Sequence, residues 1–510
     1  MSGAPTASPR DPLRLAWAGL AVLLVLLGLA VRLYDLGDPP LDFHPTRQLH
    51  SLIMARGIYY QDAPGIPDWQ RERAVQQWRA EGVIEPPILE NLAALVYRLA
   101  GREVPETGRV FSILFWTIGG LGLYGLGRQF FSAPAALVGL GFWMVSPYAV
   151  FASRAFQPDP LMTVLIVLAW WAFARWMRVA PPGGRAGWRW ALAAGLLGGA
   201  ALLVKGTALF FVAAGWGGAL LAGRGMRSAL RDRQVWLMAG LAVLPYAAYT
   251  LWGVAINGFL QGQFSLRFFP QYWIEPVFYL RWYNLLERAF SLPWLALGLL
   301  GAVFLPNRVA RGLGWGGWIG YLGMGLALSH HISTHDYYSL PLVGLIGLGL
   351  AALAQAALAA LPQPRRLLGA LAGLVLLASA GMSAWDARTA LKRADYRAEP
   401  SFWAGLAEKM GRDAAVVGIT QDYGARMEYY GWITPANWLT AAEFDLRRSA
   451  GQQFDLPALF NEMTAGKQFF LVTLPEELAL QPEVKQLLES SYPLFAEGPG
   501  YQIYDLRGGK

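Results

Sequence analysis

The chain has 510 residues, of which 55% are hydrophobic and only 15% charged, against about 25% charged in an ordinary soluble protein. The apolar residues fall in many long runs, which excludes a soluble globular chain and indicates a multi-spanning membrane protein. The formal charge of +8 would suit nucleic acid, but the arginines sit in short loops between apolar runs. Membrane topology explains them better, so no nucleic-acid partner is expected. The chain has no cysteine, which removes disulfides, thiolate nucleophiles and Cys-ligated metals.

The first apolar run, Leu15 to Val31, follows Arg10 and Arg14 and is long enough to span. Val31-Arg32-Leu33 is a poor cleavage context for a signal peptide, although Gly28-Leu29-Ala30 leaves cleavage open; an uncleaved first helix is favoured. At about 20 mostly apolar residues per span, crossings are expected near 14–33, 109–127, 133–150, 160–177, 189–204, 207–223, 235–255, 289–305, 313–329, 340–361 and 367–385. The fifth and sixth are separated only by Lys205-Gly206 and could form one bent helix; counted separately, the spans number eleven.

Charge tests that count. With a cytoplasmic N-terminus, the inner loops carry fifteen arginines: Arg10, Arg14, Arg128, Arg175, Arg178, Arg185, Arg189, Arg224, Arg227, Arg231, Arg233, Arg308, Arg311, Arg365 and Arg366. The short outer connections carry Arg154, Lys205 and no cation between His330 and Leu340. This asymmetry follows the positive-inside rule. It requires Lys205 at an outer turn, and it puts the loop 34–108, the loop 256–288 and everything after 386 outside the cytoplasm.

Within the first outer loop, Leu33 to Asp62 crowds together Asp35, Asp38, Asp42, His44, Arg47, His50 and Arg56, including two of the five histidines of the chain. Gln61 to Gly82 has a charged helical pattern and Pro86 to Leu99 an amphipathic one, and both read as helices lying at the membrane interface. The loop 256–288 holds ten aromatics: Phe259, Phe264, Phe268, Phe269, Tyr272, Trp273, Phe278, Tyr279, Trp282 and Tyr283. That exceeds an anchoring belt and suits a groove for a lipid chain or a sugar.

After Asp386 helices and strands alternate, with helices expected at Pro400–Met410, Ala425–Trp432 and Glu483–Ser490 and strands at Ala415–Thr420, Phe469–Thr473 and Tyr501–Leu506. The expected architecture is an α-helical multi-spanning membrane domain over 1–386 and a small extracytoplasmic α/β domain over 387–510. The latter lacks a Gly-rich phosphate fingerprint.

Charged residues between spans need a reason. Arg154 and Asp159 flank the outer start of the fourth span, where a structural Arg–Asp pair and a ligand contact are both open. Lys205, alone between apolar segments and next to Gly206, is costly unless it faces a polar cavity. Glu85 either caps the helix after Pro86 or touches a metal or acceptor. His330, His331, His335 and Asp336 suggest metal by residue type, but adjacent ligands argue against it.

In chain order, these residues lie in Glu85-Pro86-Pro87-Ile88, Ser153-Arg154 with Pro158-Asp159-Pro160-Leu161, Leu203-Val204-Lys205-Gly206 and His335-Asp336-Tyr337-Tyr338-Ser339-Leu340-Pro341. Together with the acidic, His-containing loop after the first helix, the series resembles the GT-C superfamily of membrane glycosyltransferases, in the protein O-mannosyltransferase and aminoarabinose transferase branch. The resemblance covers roughly 14–385. It implies transfer of a sugar, with inversion, from a polyprenyl-phosphate carrier to a glycan, lipid or protein acceptor at the outer face of a prokaryotic plasma membrane. No cofactor is implied with certainty, and a divalent metal is compatible with the reaction.

Such chemistry needs a carboxylate to take the acceptor's proton and cations to neutralise the leaving phosphate. Where the family usually carries an Asp-Glu pair, this chain has Thr46-Arg47. Asp42 instead resembles the Asp of a variant written Asp-x-His-x-x-Arg-Gln, matched by His44, Arg47 and Gln48. Asp42 is therefore the expected base, with a cap on the turn after Pro39-Pro40 as its structural alternative. Asp159 is expected to orient the base or acceptor. Arg154 and Lys205 are expected to meet phosphate, and His335, Tyr337 and Tyr338 to bond phosphate or sugar. A non-enzymatic transporter or flippase of lipid-linked glycans is the competing class, but its charges would lie at mid-membrane and its halves would repeat.

Overall fold

The computed structural model describes residues 12–83, 85–180, 184–261, 268–360, 365–449 and 451–508. In chain order its first helices are α1 (Pro12–Leu33), α2 (Pro45–Tyr60), α3 (Asp68–Ala80), α4 (Ile88–Ala100), α5 (Thr107–Phe130), α6 (Ala133–Val145), α7 (Pro147–Arg154) and α8 (Pro158–Val179). Then come α9 (Trp188–Val204), α10 (Ala208–Gly223), α11 (Met226–Arg231), α12 (Arg233–Leu251), α13 (Pro276–Phe290), α14 (Leu292–Val303), α15 (Arg308–Ala327), α16 (Ser329–Thr334), α17 (Leu342–Ala360) and α18 (Arg365–Arg393). The remainder is α19 (Glu399–Met410), β1 (Val416–Ile419), α20 (Ala425–Gly431), β2 (Ala436–Asn437), α21 (Ala441–Ser449), α22 (Leu456–Thr464), β3 (Phe469–Val472), α23 (Pro475–Ala479), α24 (Pro482–Ser491), β4 (Leu494–Gly498) and β5 (Tyr501–Asp505).

Two compact units interleave along the chain. One takes the described residues up to Leu36, with Val83–Pro86 and Arg109–Arg393; the other takes Gly37–Gly82, Pro87–Gly108 and the described residues from Ala394 onward.

Among the described residues of the first unit, six stretches are long and apolar enough to cross a membrane: Arg14–Leu33, Thr107–Phe130, Pro158–Val179, Arg233–Ile256, Asp336–Ala360 and Leu367–Arg393. Counting the bent pairs α6/α7 (58°) and α13/α14 (93°) as one span each makes eight. The remaining expected segments are α9 and α10, of 17 and 16 residues, and α15, of 20. The breaks have local causes. Pro147 and Pro293 cannot donate to the preceding turn, and Ser291 is left-handed at φ 59°. Between α9 and α10, Lys205 is extended at φ −160° and ψ 120°, so the two helices are interrupted rather than continuous.

Between lipid-embedded helices burial of apolar surface gives little drive, and close backbone contact takes its place. Gly312, Gly316 and Gly320 recur one turn apart on α15, facing Gly218, Ala214 and Phe210 at the same spacing on α10. A Cβ on Gly316 would stand 2.1 Å from the Ala214 carbonyl oxygen, and one on Gly312 2.2 Å from that of Gly218. On α12, Pro245 removes the donor that the Leu241 carbonyl would otherwise meet. Gly199 of α9 lies against that carbonyl, where a Cβ would be 2.2 Å away.

The second unit is built on a five-stranded sheet of order β2-β1-β3-β5-β4. β1 runs parallel to β2 and β3, and β5 antiparallel to β3 and β4. β1 and β3 are buried throughout, as strands covered on both faces must be. One core gathers Trp438, Phe460, Phe470 and Leu488; another gathers Trp403, Leu406, Met427 and Leu471. The two-residue β2 and the mostly exposed β4 carry too little pattern to be read from sequence.

Although the sequence reading grouped the first outer loop with the membrane segments, most of it packs in the same unit as the sheet. Arg56 of α2 explains why. Its guanidinium lies 3.8 Å from the Tyr429 ring centroid and 4.3 Å from that of Trp432. It donates to both Glu103 carboxylate oxygens at 3.1 Å and to the Tyr429 carbonyl at 2.7 Å. Gln77 of α3 donates to the Glu428 carbonyl at 3.2 Å. The aromatic loop is described only in part, and Phe264 lies outside the described residues.

Two outcomes follow. Gly316→Ala should destabilise the protein by roughly 1–3 kcal/mol through overpacking, whereas Gly217→Ala, with open space around the new Cβ, should be neutral or slightly stabilising; thermal unfolding in detergent compares them. Glu428 of α20 is pushed up to about 8 from 4.5, first by burial and then by the neighbouring Glu81 carboxylate, against a Thr434 hydrogen bond and Arg56. Between those two pH values the folded chain holds a proton that the unfolded chain has lost, so stability falls as pH rises. Glu428→Gln should flatten that decline, read as the difference in unfolding midpoint between pH 5 and pH 8.

Candidate functional site

In the first unit, the interruption between α9 and α10 turns the Lys205 side chain inward, leaving it 4% exposed. Its ammonium lies 2.8 Å from Oδ1 of Asp159, which is 0% exposed in the first turn of α8. The same nitrogen is 4.6 Å from the ring centroids of both Tyr337 and Tyr338. These tyrosines are buried in a 3₁₀ turn, Asp336–Ser339, anchored where the Tyr148 hydroxyl donates to the Asp336 carbonyl at 2.8 Å. The sequence reading allowed for an Arg154–Asp159 pair; in the structure Lys205 is the cation on Asp159.

The arrangement is chemically unsaturated. Asp159 Oδ2 has no hydrogen-bond partner among the described residues. Lys205 has three N–H donors, one directed to Asp159, and it faces two π surfaces that hold a cation less firmly than oxygen ligands would. A phosphate oxygen is well suited to join this ammonium. His335 is half-buried beside the site, its ring 5.3 Å from that of Tyr337 and 5.9 Å from that of His331. Among the described residues, no group of three or more His, Asp or Glu side chains is arranged to hold a metal ion.

Three buried guanidinium groups fix the end of α1. Arg154 donates to the Tyr34 carbonyl at 2.8 Å and the Asp35 carbonyl at 3.1 Å. Arg109 donates to the Leu36 carbonyl at 3.0 Å, and Arg32 to the Gly28 carbonyl at 2.9 Å and the Ser153 hydroxyl at 2.7 Å. The last carbonyls of a helix lack intrahelical donors, and cations are favoured at that end. Arg32 and Arg109 were missed in the sequence because each flanks an apolar run and reads as an ordinary span boundary. Glu85 is half-buried in this unit and acts electrostatically on Tyr249.

The second unit holds the remaining expected residues. Asp42 is half-buried, and its Oδ1 accepts from Gln48 Nε2 at 3.4 Å, while the same nitrogen donates to the Phe43 carbonyl at 2.8 Å. His44 caps α2 in the left-handed region at φ 44°, just before Pro45, with its ring edge-on to Phe43 at 4.7 Å. Arg47 follows in the first turn. Asp38 accepts the Tyr396 backbone N–H at 3.0 Å, and Thr46 donates to Asp422 at 3.5 Å. Deeper in α2, Ser51 donates to Glu90 at 2.7 Å, and burial pushes that carboxyl up. Asp42, His44 and Arg47 thus share one unit, and Glu85, Arg154, Asp159, Lys205, His335, Tyr337 and Tyr338 the other.

Residues 84–252 match the family model described as dolichyl-phosphate-mannose-protein mannosyltransferase. No curated protein sequence matches the chain. Among solved structures, ArnT from Cupriavidus metallidurans in the apo state aligns with a TM-score of 0.59 at 17% identity, over 96% of this chain and 98% of ArnT. The same protein bound to undecaprenyl phosphate aligns at 0.58 and 16% identity, over 97% and 98%. The archaeal oligosaccharyltransferase AglB from Archaeoglobus fulgidus, in complex with an inhibitory peptide and a dolichol-phosphate, aligns at 0.57 and 13% identity, over 96% of this chain and 74% of AglB. The chain therefore has the fold of the GT-C membrane glycosyltransferases and resembles their protein-mannosyltransferase and ArnT-like branch.

Proposed function

We propose that the protein is an inverting glycosyltransferase that moves a sugar from a polyprenyl-phosphate carrier to an acceptor hydroxyl, with its reaction at the outer face of the plasma membrane and eleven spans in its membrane domain. The observation that carries this reading is the buried Lys205 ammonium between Asp159 and the faces of Tyr337 and Tyr338. It is supported by the family match across Lys205 and by neighbours of the same fold that bind undecaprenyl phosphate or dolichol-phosphate.

In this reading, the acceptor oxygen attacks the anomeric carbon as the bond to the phosphate oxygen breaks. Asp42 takes the acceptor's proton, and Gln48 fixes the carboxylate that does so. The departing phosphate gains negative charge, which Lys205 neutralises and the Tyr337 and Tyr338 hydroxyls can bond. Asp159 orients Lys205. Arg154 adds positive potential while holding the end of α1, and His335 bonds phosphate or sugar. His44 and Arg47 shape the turn that carries Asp42, and Glu85 contacts substrate. The acceptor class is a glycan, lipid or protein hydroxyl.

Asp42→Asn should lower transfer at least about 100-fold with undecaprenyl phosphate affinity unchanged, measured by product mass spectrometry and by titration; near-normal transfer would contradict the assignment. Lys205→Met alone should destabilise the protein by roughly 3–5 kcal/mol, because it leaves the Asp159 carboxylate buried without a cation. Adding Asp159→Asn should restore stability but not affinity for undecaprenyl phosphate. Wild-type affinity in that double variant would remove Lys205 from the phosphate site.

A further inference from the structure

The break that presents Lys205 has a second side. Gly206, the next residue, lies against the phenol of Tyr246 on α12: a Cβ at Gly206 would stand 2.2 Å from the tyrosine oxygen, 2.4 Å from Cζ and 3.0 Å from Cε1. Any side chain larger than hydrogen would drive that phenol away. The close approach is therefore a property of this glycine, whose backbone φ is not left-handed and which needs no conformational licence.

Tyr249 follows three residues later, on the same face of α12. Its hydroxyl is buried and has no hydrogen-bond partner among the described residues. Both Tyr246 and Glu85 act on it electrostatically, which brings the two phenols and the carboxylate into one neighbourhood. The helix is irregular on either side of this pair, with Pro245 immediately before it and a π-helical turn at Trp252–Ile256 after it. Such departures from the α-helix re-aim side chains and concentrate at functional sites. Most of the span is not buried within the protein, so an inward hydroxyl pair needs a reason beyond packing.

We infer that Tyr246, Tyr249 and Glu85 form the subsite that reads the hydroxyls of the donor's sugar, next to the phosphate held at Lys205. The inference rests on the phosphate reading of Lys205 and extends it. The sugar is bonded directly to that phosphate, so its hydroxyls fall beside the same break in the chain. Each phenol both donates and accepts, and a carboxylate accepts from several hydroxyls, a set suited to a polyol and not to a polyprenyl tail. The Glu85 carboxylate would repel an acidic sugar, so the substrate class is a sugar without an acidic group.

The test uses the full chain in lipid nanodiscs and titrates undecaprenyl phosphate, undecaprenyl-phosphate mannose and undecaprenyl-phosphate arabinofuranose. The wild type should bind at least one sugar-bearing carrier more tightly than the bare carrier. Tyr246→Phe and Tyr249→Phe should each weaken that binding roughly five- to tenfold and leave bare-carrier affinity unchanged. Gly206→Ala should reproduce the Tyr246→Phe loss, and the two together should lose no more than either alone, because both remove one contact. A wild type that does not favour either sugar-bearing carrier overturns the subsite, as do variants that weaken bare and sugar-bearing carriers equally or neither. Loss of bare-carrier binding in the Lys205→Met/Asp159→Asn variant alongside unaffected tyrosine variants would overturn the subsite and leave the phosphate reading standing. Retained bare-carrier binding in that double variant would instead break the phosphate reading itself.

Discussion

A lysine ammonium removed from water is tolerable only with a paired charge, and the Lys205–Asp159 contact supplies it at 2.8 Å. Much of the local structure follows from that need. Asp159 must enter from the first turn of α8, so the chain between α7 and α8 must turn there. Lys205 must leave its helix, which is why α9 ends at Val204 and Lys205 itself is extended before the turn that leads into α10. The two tyrosine rings then cover the cation from the turn after α16. A fully satisfied ion pair would be structural. This one leaves one carboxylate oxygen without a hydrogen bond among the described residues and sets the ammonium against π faces, a state that an anionic ligand can improve.

The scaffold answers a related constraint, that backbone polar groups inside the membrane region must be satisfied within the protein. Where α1 ends, Arg109 and Arg154 bond the carbonyls of the turn Tyr34–Leu36 that follows it, and Arg32 bonds that of Gly28 in its last turns. Where Pro245 frees a carbonyl on α12, Gly199 lets α9 approach it closely. The glycine row on α15 permits the same intimacy with α10. Cations and glycines thus serve complementary ends: the first bond the backbone carbonyls where α1 gives way to a turn, and the second remove the side chains that would hold two backbones apart.

How much of this was legible in the sequence depends on the range of the interaction. The apolar runs, the proline breaks and the isolation of Lys205 are local, and each was readable from neighbouring residues. The partner of Lys205 was not, because Asp159 lies 46 positions away and Arg154 is the nearer candidate. Arg32 and Arg109 were hidden by their resemblance to ordinary span-flanking arginines. Tyr246 and Tyr249 were hidden within an apolar span, and only the contact of Tyr246 with Gly206 and the buried hydroxyl of Tyr249 separate them from that background. The grouping of α2 with the sheet was not legible because its contacts, Arg56 with Tyr429 and Trp432 and Thr46 with Asp422, join residues far apart in sequence. Short β2 and exposed β4 lack the alternation by which strands announce themselves.

The central claim is that Lys205 receives the carrier's phosphate. The most direct measurement is an electron cryo-microscopy structure of the full chain with undecaprenyl phosphate. The account predicts phosphate density within hydrogen-bonding distance of Lys205 Nζ, bordered by Tyr337 and Tyr338. Phosphate bound elsewhere, with the Lys205–Asp159 pair undisturbed, would contradict it.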